Sequence, residues 1–311
     1  MEEFEGKNGA SVQKRILLIA LLLAALLLVL LAFIRIRNAA PVAVASPAPA
    51  ADFHYEHAMD VWFLDVGQGD AILIRSPGGK LMLVDAGSSD QFYAVYHKME
   101  ELGVDRLDAI VCTHAHEDHI GAMPKVIETY GVGSAYFPHG AKREDYEEVY
   151  AALDAKGVSP KTVTATMTSF IDFDPEIEVR VLSPFDTDYE DENEGSLVLR
   201  VSYGNTSVLL AADVGALAER LMLKALPNAL FDSDILKLGH HGSYSSTSEK
   251  FLKAVSPGLA VASCSKGNEY GHPDEEIVSL LEKKGVLLLT TADYGTIHAV
   301  LDGSGIKVVE Y

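Results

Sequence analysis

Cysteine and basic residues are scarce in this sequence, and each shortage argues against a class of protein. The chain has two cysteines, Cys112 and Cys264, with no CxxC pair and no lipid-attachment cysteine, which argues against a thiolate zinc site and a lipoprotein. Both lie in apolar segments, where we expect small buried side chains. The 25 Lys and Arg residues face 45 Asp and Glu residues, which gives a net charge of −20. No extended basic surface for a nucleic-acid backbone is evident, so bound cations would have to attract any phosphate-ester substrate.

One long apolar run, residues 16–34, carries no charge and is flanked by Lys14-Arg15 before it and by Arg35 and Arg37 after it. As a helix it would be about 28 Å long, which matches the hydrocarbon core of a membrane. We interpret it as an uncleaved single-span anchor in the cell membrane, with the globular part outside the cytoplasm. The alternative is a secretion signal cleaved near Ala43-Val44-Ala45, after which the protein would be secreted.

The chain beyond this run alternates strand-like and helix-like segments to its end, among them a strand-like run over 61–74 and a helix-like segment over 120–130. Many strands with helices between them predict layered α/β packing, with sheets covered by helices. Ser76-Pro77-Gly78-Gly79 predicts a hairpin turn, and the acidic tract 186–194 predicts a solvated surface loop. The predicted organisation is a short tail (1–15), the anchor or uncleaved signal (16–34), a Pro/Ala-rich linker (35–58) and one globular domain (59–311).

The most distinctive stretch is His-Ala-His-Glu-Asp-His at 114–119, directly after an apolar run. His114 and His116 could bind one cation, and the adjacent Asp118 and His119 could bind a second. Neutral imidazole and carboxylate are usual ligands for zinc and similar divalent ions. This window therefore predicts a metal site at the end of a buried strand.

Further polar residues follow other apolar runs. Asp85, Asp213 and the pair His240-His241 each come directly after a strand-like segment. Each one alone is compatible with an ordinary strand-terminating turn. Together with the histidine cluster they indicate that metal ligands are gathered at strand ends. Asp65 and Asp70, in the sequence DVGQGD, are instead interpreted as parts of a tight strand connection.

At this point the sequence resembles the metallo-β-lactamase superfamily, and specifically the extracytoplasmic hydrolase-like domain of ComEC-type competence proteins. The HxHxDH pattern followed by single Asp and His residues at later strand ends carries the superfamily resemblance. The similarity to the ComEC-type domain spans about residues 60–311. The narrower resemblance is carried by five flanking segments: FLDVGQGD (63–70), LVDAG (83–87), SLVLR (196–200), LKLGHHGS (236–243) and YGHP (270–273).

The resemblance implies a four-layer αββα sandwich with two divalent metal ions at the rim where the sheets meet. By position, His114 and His116 would bind the first ion, while Asp118, His119 and one of His240 and His241 would bind the second. Asp213 would bridge both ions. Because side chains alternate along a strand, we expect only one of the adjacent imidazoles to bind metal. We favour His241 as the ligand and His240 as a proton donor that faces the substrate.

Other residues acquire roles from the same resemblance. Asp85 is expected to orient a ligand histidine rather than to bind metal. Ser243, Tyr270 and His272 are candidate substrate contacts; their structural alternatives are a capping or turn hydroxyl, a packed aromatic ring and a loop histidine. Asp118, Asp213 and His240 are the expected catalytic residues.

The sequence departs from the family pattern near residue 196. Many members supply another histidine to the first metal there, whereas this chain has Glu192-Asn193-Glu194-Gly195-Ser196. Fewer nitrogen and more oxygen ligands relax the preference for zinc, so manganese becomes plausible as well. ComEC-type proteins also carry a multi-span channel, whereas one span is predicted in this sequence.

The leading functional hypothesis is a membrane-anchored, extracytoplasmic, two-metal hydrolase that cleaves phosphodiester bonds through a metal-bridging hydroxide. Single-stranded DNA is a candidate substrate, which would link the protein to competence and DNA uptake. One alternative is a metallo-esterase or lactamase that acts on a small-molecule or cell-envelope ester. Another is a non-catalytic accessory module of an envelope complex.

Overall fold

The computed structural model describes residues 57–185 and 189–309. The predicted tail, the predicted anchor (16–34) and most of the predicted linker lie outside the described residues. Within the two described ranges, no helix combines the length and apolarity that a membrane crossing needs. The anchor and its orientation therefore stay predictions.

The strands and helices of the described residues alternate along the chain, as the sequence pattern predicts. The strands are β1 (Met59–Phe63), β2 (Ile72–Arg75), β3 (Leu81–Val84), β4 (Arg106–Val111), β5 (Gly131–Pro138), β6 (Pro160–Val163), β7 (Phe170–Ile171), β8 (Glu178–Ser183), β9 (Val198–Tyr203), β10 (Thr206–Leu210), β11 (Ile235–Lys237), β12 (Leu259–Ala262), β13 (Leu287–Thr290), β14 (Ile297–Leu301) and β15 (Ile306–Val309). The helices are α1 (Phe92–Leu102), α2 (Glu117–Ile120), α3 (Met123–Thr129), α4 (Glu147–Lys156), α5 (Ala216–Ala225), α6 (Glu249–Val255), α7 (Glu275–Lys284) and α8 (Thr291–Tyr294).

The strands form two mixed sheets. The first has eight strands in the order β15-β14-β1-β2-β3-β4-β5-β6, and the second has seven in the order β13-β12-β11-β10-β9-β8-β7. Strands β3 to β6 run parallel to one another, and so do β10 to β13. The hairpin predicted at residues 76–79 is confirmed, because β2 and β3 pair antiparallel on either side of it.

Three separate apolar clusters show how the sheets are layered. Val61 and Phe63 of β1 face a core shared with the second sheet, whereas Trp62 between them packs with helix residues such as Val95. Side chains alternate along a strand, so an uninterrupted apolar strand can serve two cores at once. On the second sheet, Leu209 of β10 packs outward with helix residues in the third cluster. The predicted order of helix, sheet, sheet and helix is thus confirmed for the described residues.

Some predicted boundaries were wrong in ways that matter for the site. The strand-like run 61–74 forms two strands, β1 and β2, separated by a loop at residues 64–71. This loop contains the glycines and aspartates of DVGQGD. The helix predicted from residue 120 is two helices, of which α2 begins at Glu117 and already contains Asp118 and His119. Both cysteines are free and buried, as predicted.

Candidate metal centre

The ends of parallel strands in both sheets deliver the central residues. Asp85 directly follows β3, His114 lies shortly after β4, Asp213 lies after β10, and His241 lies after β11. Carboxyl ends of parallel strands lie at the same edge of a sheet, which is where open α/β sheets gather ligands. All four side chains are buried, with at most 2% of their surface exposed.

The loop between β1 and β2 packs directly against α2. The Asp70 amide donates to the Asp118 carbonyl at 3.1 Å, and the Gly87 amide donates to the Asp70 carbonyl at 2.8 Å. Gly69 has a φ of +142°, and a Cβ built on it would lie 2.2 Å from the Asp118 carbonyl oxygen. Only glycine permits this approach, so the turn DVGQGD fixes the backbone that carries Asp118.

Three imidazole Nε2 atoms converge on one carboxylate. The distance to the Asp213 carboxylate is 3.3 Å from His119 Nε2, 3.4 Å from His241 Nε2 and 4.0 Å from His114 Nε2. Asp118 Oδ2 lies 3.2 Å from His241 Nε2. Nitrogen and oxygen donors are thereby collected around a single small volume, as a divalent cation requires.

The opposite nitrogens of the same rings are already hydrogen-bonded. His119 Nδ1 donates to Asp85 Oδ2 at 2.8 Å, and His241 Nδ1 donates to the Ser263 carbonyl at 2.9 Å. Thr113 Oγ1 gives its single proton to Asp85, so it accepts the proton of His114 Nδ1 at 3.1 Å. A neutral imidazole has one donor and one acceptor nitrogen, so in the neutral form that binds metal each of these rings directs its Nε2 lone pair at Asp213.

These Nε2 atoms fit a metal ion by a second criterion. The Nε2 atoms of all three histidines and Asp213 Oδ1 are buried, and each lacks a hydrogen-bond partner among the described residues. A buried polar atom without a partner is costly. Divalent metal bound among them would supply the missing partner for these atoms, and the residues present therefore fit such a metal.

The electrostatics of the site favour positive charge. Burial raises the pKa of Asp213, but the facing His241 and His119 rings outweigh burial and hold that pKa well below its usual range. Burial also lowers the pKa of His119, yet the carboxylates of Asp213 and Asp85 raise it to about 10. For His114 burial dominates and keeps the pKa well below its usual value, which leaves this ring in the neutral form that binds metals.

Asp70 and Lys237 also belong to the site. Ligand atoms of Asp70, His119, Asp213 and His241 all lie within 4.8 Å of one another, and Asp70 forms an ion pair with the fully buried Lys237. The interpretation of Asp70 as part of a turn was therefore incomplete, and Lys237 was missed. The available signal was a charged residue inside the apolar run Ile235–Leu238.

The adjacent histidines differ in position, but strand alternation is not the reason. The pair lies beyond β11 in a short turn where His240 has a φ of 48° and His241 a φ of 55°. His241 points into the site, whereas the His240 side chain is 31% exposed with Nε2 3.7 Å from Asp213 Oδ2. His116 lies still further out, 42% exposed, with Nε2 3.6 Å from Glu192 Oε2.

The predicted substrate contacts lie along the rim. The Tyr270 ring is 62% exposed and stacks on His272, with ring centroids 5.6 Å apart. His272 in turn lies 5.7 Å from the His240 ring. Ser243 is buried and its hydroxyl contacts Ser245 Oγ at 3.0 Å. Tyr270 and His272 thus form an aromatic edge that leads to the site, while Ser243 lies in the turn that carries His240.

Comparisons with known proteins identify the family of this chain. The chain belongs to the metallo-beta-lactamase superfamily, whose family description matches residues 64–266. It is 31% identical over 257 residues to ComE operon protein 3 of Bacillus subtilis (strain 168), covering 77% of this chain and 32% of that protein. It is also 31% identical over 294 residues to Competence protein ComA of Neisseria gonorrhoeae, covering 94% of this chain and 39% of that protein.

These relatives confirm the resemblance to competence proteins. The chain spans only about a third to two-fifths of their length. Among solved structures, it resembles CmlA, a diiron β-hydroxylase from Streptomyces venezuelae, with a TM-score of 0.51 at 14% identity, covering 80% of this chain and 55% of that chain. At that identity the likeness shows the fold alone.

Proposed function

We propose that this protein is a metal-dependent hydrolase that cleaves phosphodiester bonds, with single-stranded DNA as the first natural substrate to test. The observation that carries the proposal is the set of three buried, unpartnered Nε2 atoms facing Asp213. Their Nδ1 protons are engaged elsewhere, so the rings are oriented before any ligand arrives. Such preorganisation is typical of a metal centre and is not needed in a structural core.

His114, His119 and His241 are assigned as ligands because their Nε2 atoms face Asp213. His116 is assigned from its place beside His114, with ring centroids 4.6 Å apart. His114 and His116 would hold one divalent cation, zinc or manganese. Asp118, His119 and His241 would hold a second, and Asp213 would contact both. Two adjacent divalent cations, when bound, supply Lewis acidity and a water molecule of lowered pKa.

The chain's own residues would prepare the site and handle protons. Asp85 fixes the Nδ1 proton of His119 and so keeps its Nε2 lone pair directed at the site. His240, at the exposed edge, would give a proton to the leaving oxygen. Asp118 and Asp213 would act through the cations that they hold. Tyr270 and His272 offer ring faces to a planar part of the substrate.

Three features support a phosphodiester over other esters. Two cations can each take one of the two non-bridging oxygens of a phosphodiester. The net charge of −20 makes cations the natural attraction for an anionic substrate. The relatives carry competence names, which favours DNA as the substrate class. We also propose that residues 16–34 anchor this domain at the outer face of the cell membrane.

The test uses the full chain in detergent, stripped of metal and then supplied with manganese or zinc. Cleavage of a chromogenic phosphodiester and of labelled single-stranded DNA would be followed beside Asp118→Ala and His119→Ala variants. A matched control is His298→Ala, because His298 is also a buried imidazole bonded to a carboxylate, at 2.7 Å from Asp60, but outside the site. We expect metal-dependent cleavage that His119→Ala abolishes and His298→Ala retains.

The outcomes separate the alternatives. Turnover of simple carboxylic esters without any phosphodiester cleavage would replace the proposal with the metallo-esterase or lactamase function. No turnover of any substrate, with metal demonstrably bound, would refute it in favour of an accessory module.

A further inference from the structure

Lys237 brings a positive charge into the site. It is fully buried and forms an ion pair with Asp70. Its Nζ also lies 3.9 Å from Asp213 Oδ1 and donates to the Ala212 carbonyl at 3.3 Å. A buried ammonium group without a carboxylate partner is strongly unfavourable, so Asp70 is what permits Lys237 to lie here.

The ion pair connects the two sheets beneath the site. Lys237 follows Ile235 by two residues in β11, and Ile235 packs in the core between the sheets, so Lys237 enters the same layer. Asp70 comes from the loop after β1, which belongs to the other sheet. The contact is therefore fixed from both sides by the packing of the sheets.

Asp70 approaches the ligand histidines from behind. Its carboxylate lies 3.6 Å from His241 Nδ1 and 3.9 Å from His119 Nδ1, whereas Asp213 lies beside the Nε2 atoms of the same rings. A metal ion held by the Nε2 lone pairs lies on the Asp213 side of both rings. Asp70 is therefore on the wrong side of the imidazoles to share that ion.

We propose that Lys237 is a fixed cation that keeps Asp70 out of the metal coordination sphere, so that Asp70 acts on the rings of His119 and His241 through its charge instead of binding metal. The inference rests on the proposed metal centre but not on its substrate. Because like charges repel across a few ångströms of buried protein, Lys237 also weakens the affinity of the site for cations. Lys237 and Asp70 are thus positioning residues.

The test uses cobalt(II), whose visible absorption bands report the ligands that it binds. The full chain, stripped of metal, would be titrated with cobalt(II), and its dissociation constant measured by competition with a chelator. The variants are Asp70→Asn, Lys237→Met and the double variant Asp70→Leu with Lys237→Met. Asp213→Asn is the matched control, because it neutralises a buried carboxylate that is a proposed ligand.

We expect Asp70→Asn and the double variant to keep the cobalt bands of the original protein, while Asp213→Asn shifts them. Asp70→Asn should weaken cobalt binding by about tenfold or more, because it removes a negative charge 3.6–3.9 Å from the ligand rings and leaves the charge of Lys237 unmatched. Lys237→Met should tighten it by about tenfold or more, because a repelling charge is removed.

The design keeps a result interpretable if a single variant does not fold. The double variant replaces the ion pair with apolar side chains of similar size, a change that proteins often tolerate at buried ion pairs. If the single variants do not fold, the cobalt spectrum of the double variant decides whether Asp70 binds the metal. Band shifts in Asp70→Asn or the double variant like those of Asp213→Asn would overturn the inference, as would weaker binding by a folded Lys237→Met. If the original protein bound no cobalt, the proposed metal centre itself would be refuted, which is a distinct result.

Discussion

Replacement of Asp85 by Asn tests whether the outer hydrogen bonds of the site hold its metal ligands in place. Asp85 accepts from His119 Nδ1 at 2.8 Å, from the Thr113 hydroxyl at 2.6 Å and from the Thr113 amide at 2.8 Å. Asn has one acceptor oxygen, which suffices for the Thr113 amide, but its NH₂ group would face a second donor on His119. To avoid that clash, His119 must move its proton to Nε2, the nitrogen that faces Asp213.

The expected magnitude follows from this change of tautomer. A ligand histidine that loses its outer carboxylate typically costs 10- to 100-fold in metal affinity, or about 1.4–2.8 kcal/mol. The free energy of unfolding should change less. Burial raises the pKa of Asp85, which means that its charged form is costly to bury, and Asn removes that cost while it loses one hydrogen bond. The φ of 56° at Asp85 is also one that Asn tolerates.

Isothermal titration of the metal-stripped protein with zinc and manganese would measure the affinity, and urea unfolding would measure stability. The matched control is Asp60→Asn, which breaks another buried carboxylate–histidine contact, to His298 at 2.7 Å, outside the site. We expect Asp60→Asn to lower stability and leave metal affinity unchanged. Asp85→Asn should weaken metal affinity and change stability less. Equal metal affinities of Asp85→Asn and the unaltered protein would refute the reasoning.

Three further changes probe other parts of the structure. Gly69→Ala places a methyl group 2.2 Å from the Asp118 carbonyl; we expect about 1–3 kcal/mol lower stability in urea and weaker metal binding, and unchanged values would contradict the close approach. Burial raises the pKa of Glu219 to about 7. The protonated side chain therefore adds about 3 kcal/mol to the free energy of unfolding below pH 4.5, and this stabilisation is lost as the pH rises through 7. Glu219→Gln should abolish that pH dependence in urea midpoints, and an identical profile in both proteins would disprove it. Tyr270→Leu removes the ring stacked on His272 and should raise KM roughly two- to tenfold with little change in kcat; a fall in kcat alone would exclude a role in substrate binding.

The fold could be predicted where apolar runs are separated by clear turns. The hairpin before Leu81 and the alternation of strands and helices from Ile235 onward follow from local pattern, and the structure has them. The strand β5 (Gly131–Pro138) was not predicted, because two glycines and a serine break its apolar pattern. It forms because β4 and β6 lie on either side of it. Pairing with neighbours supplies a stability that no window of sequence displays.

The histidine cluster could be predicted because four of its polar residues fall within six positions. Asp70 and Lys237 could not, because they are separated by most of the domain and belong to different sheets. Within the sequence, Asp70 has the neighbours of a turn residue, and the turn interpretation is locally correct. The local sequence around Asp70 gives no sign of its partner Lys237, which ends a buried strand of the other sheet.

The distinction matters for how the centre is understood. A carboxylate close to two ligand histidines would ordinarily be counted as a metal ligand, and distances alone allow it. Two facts argue otherwise for Asp70: it faces the Nδ1 edge of both rings, and its charge is already matched by the Lys237 ammonium. Asp70 Oδ2 is paired with Lys237, whereas Asp70 Oδ1 is buried without a hydrogen-bond partner among the described residues. That free oxygen lies 3.6 Å from His241 Nδ1, on the side of the ring away from the Nε2 atom that would hold the ion. The chemistry of the site is therefore set by which edge of each imidazole a carboxylate faces, and that is a property of the packed sheets.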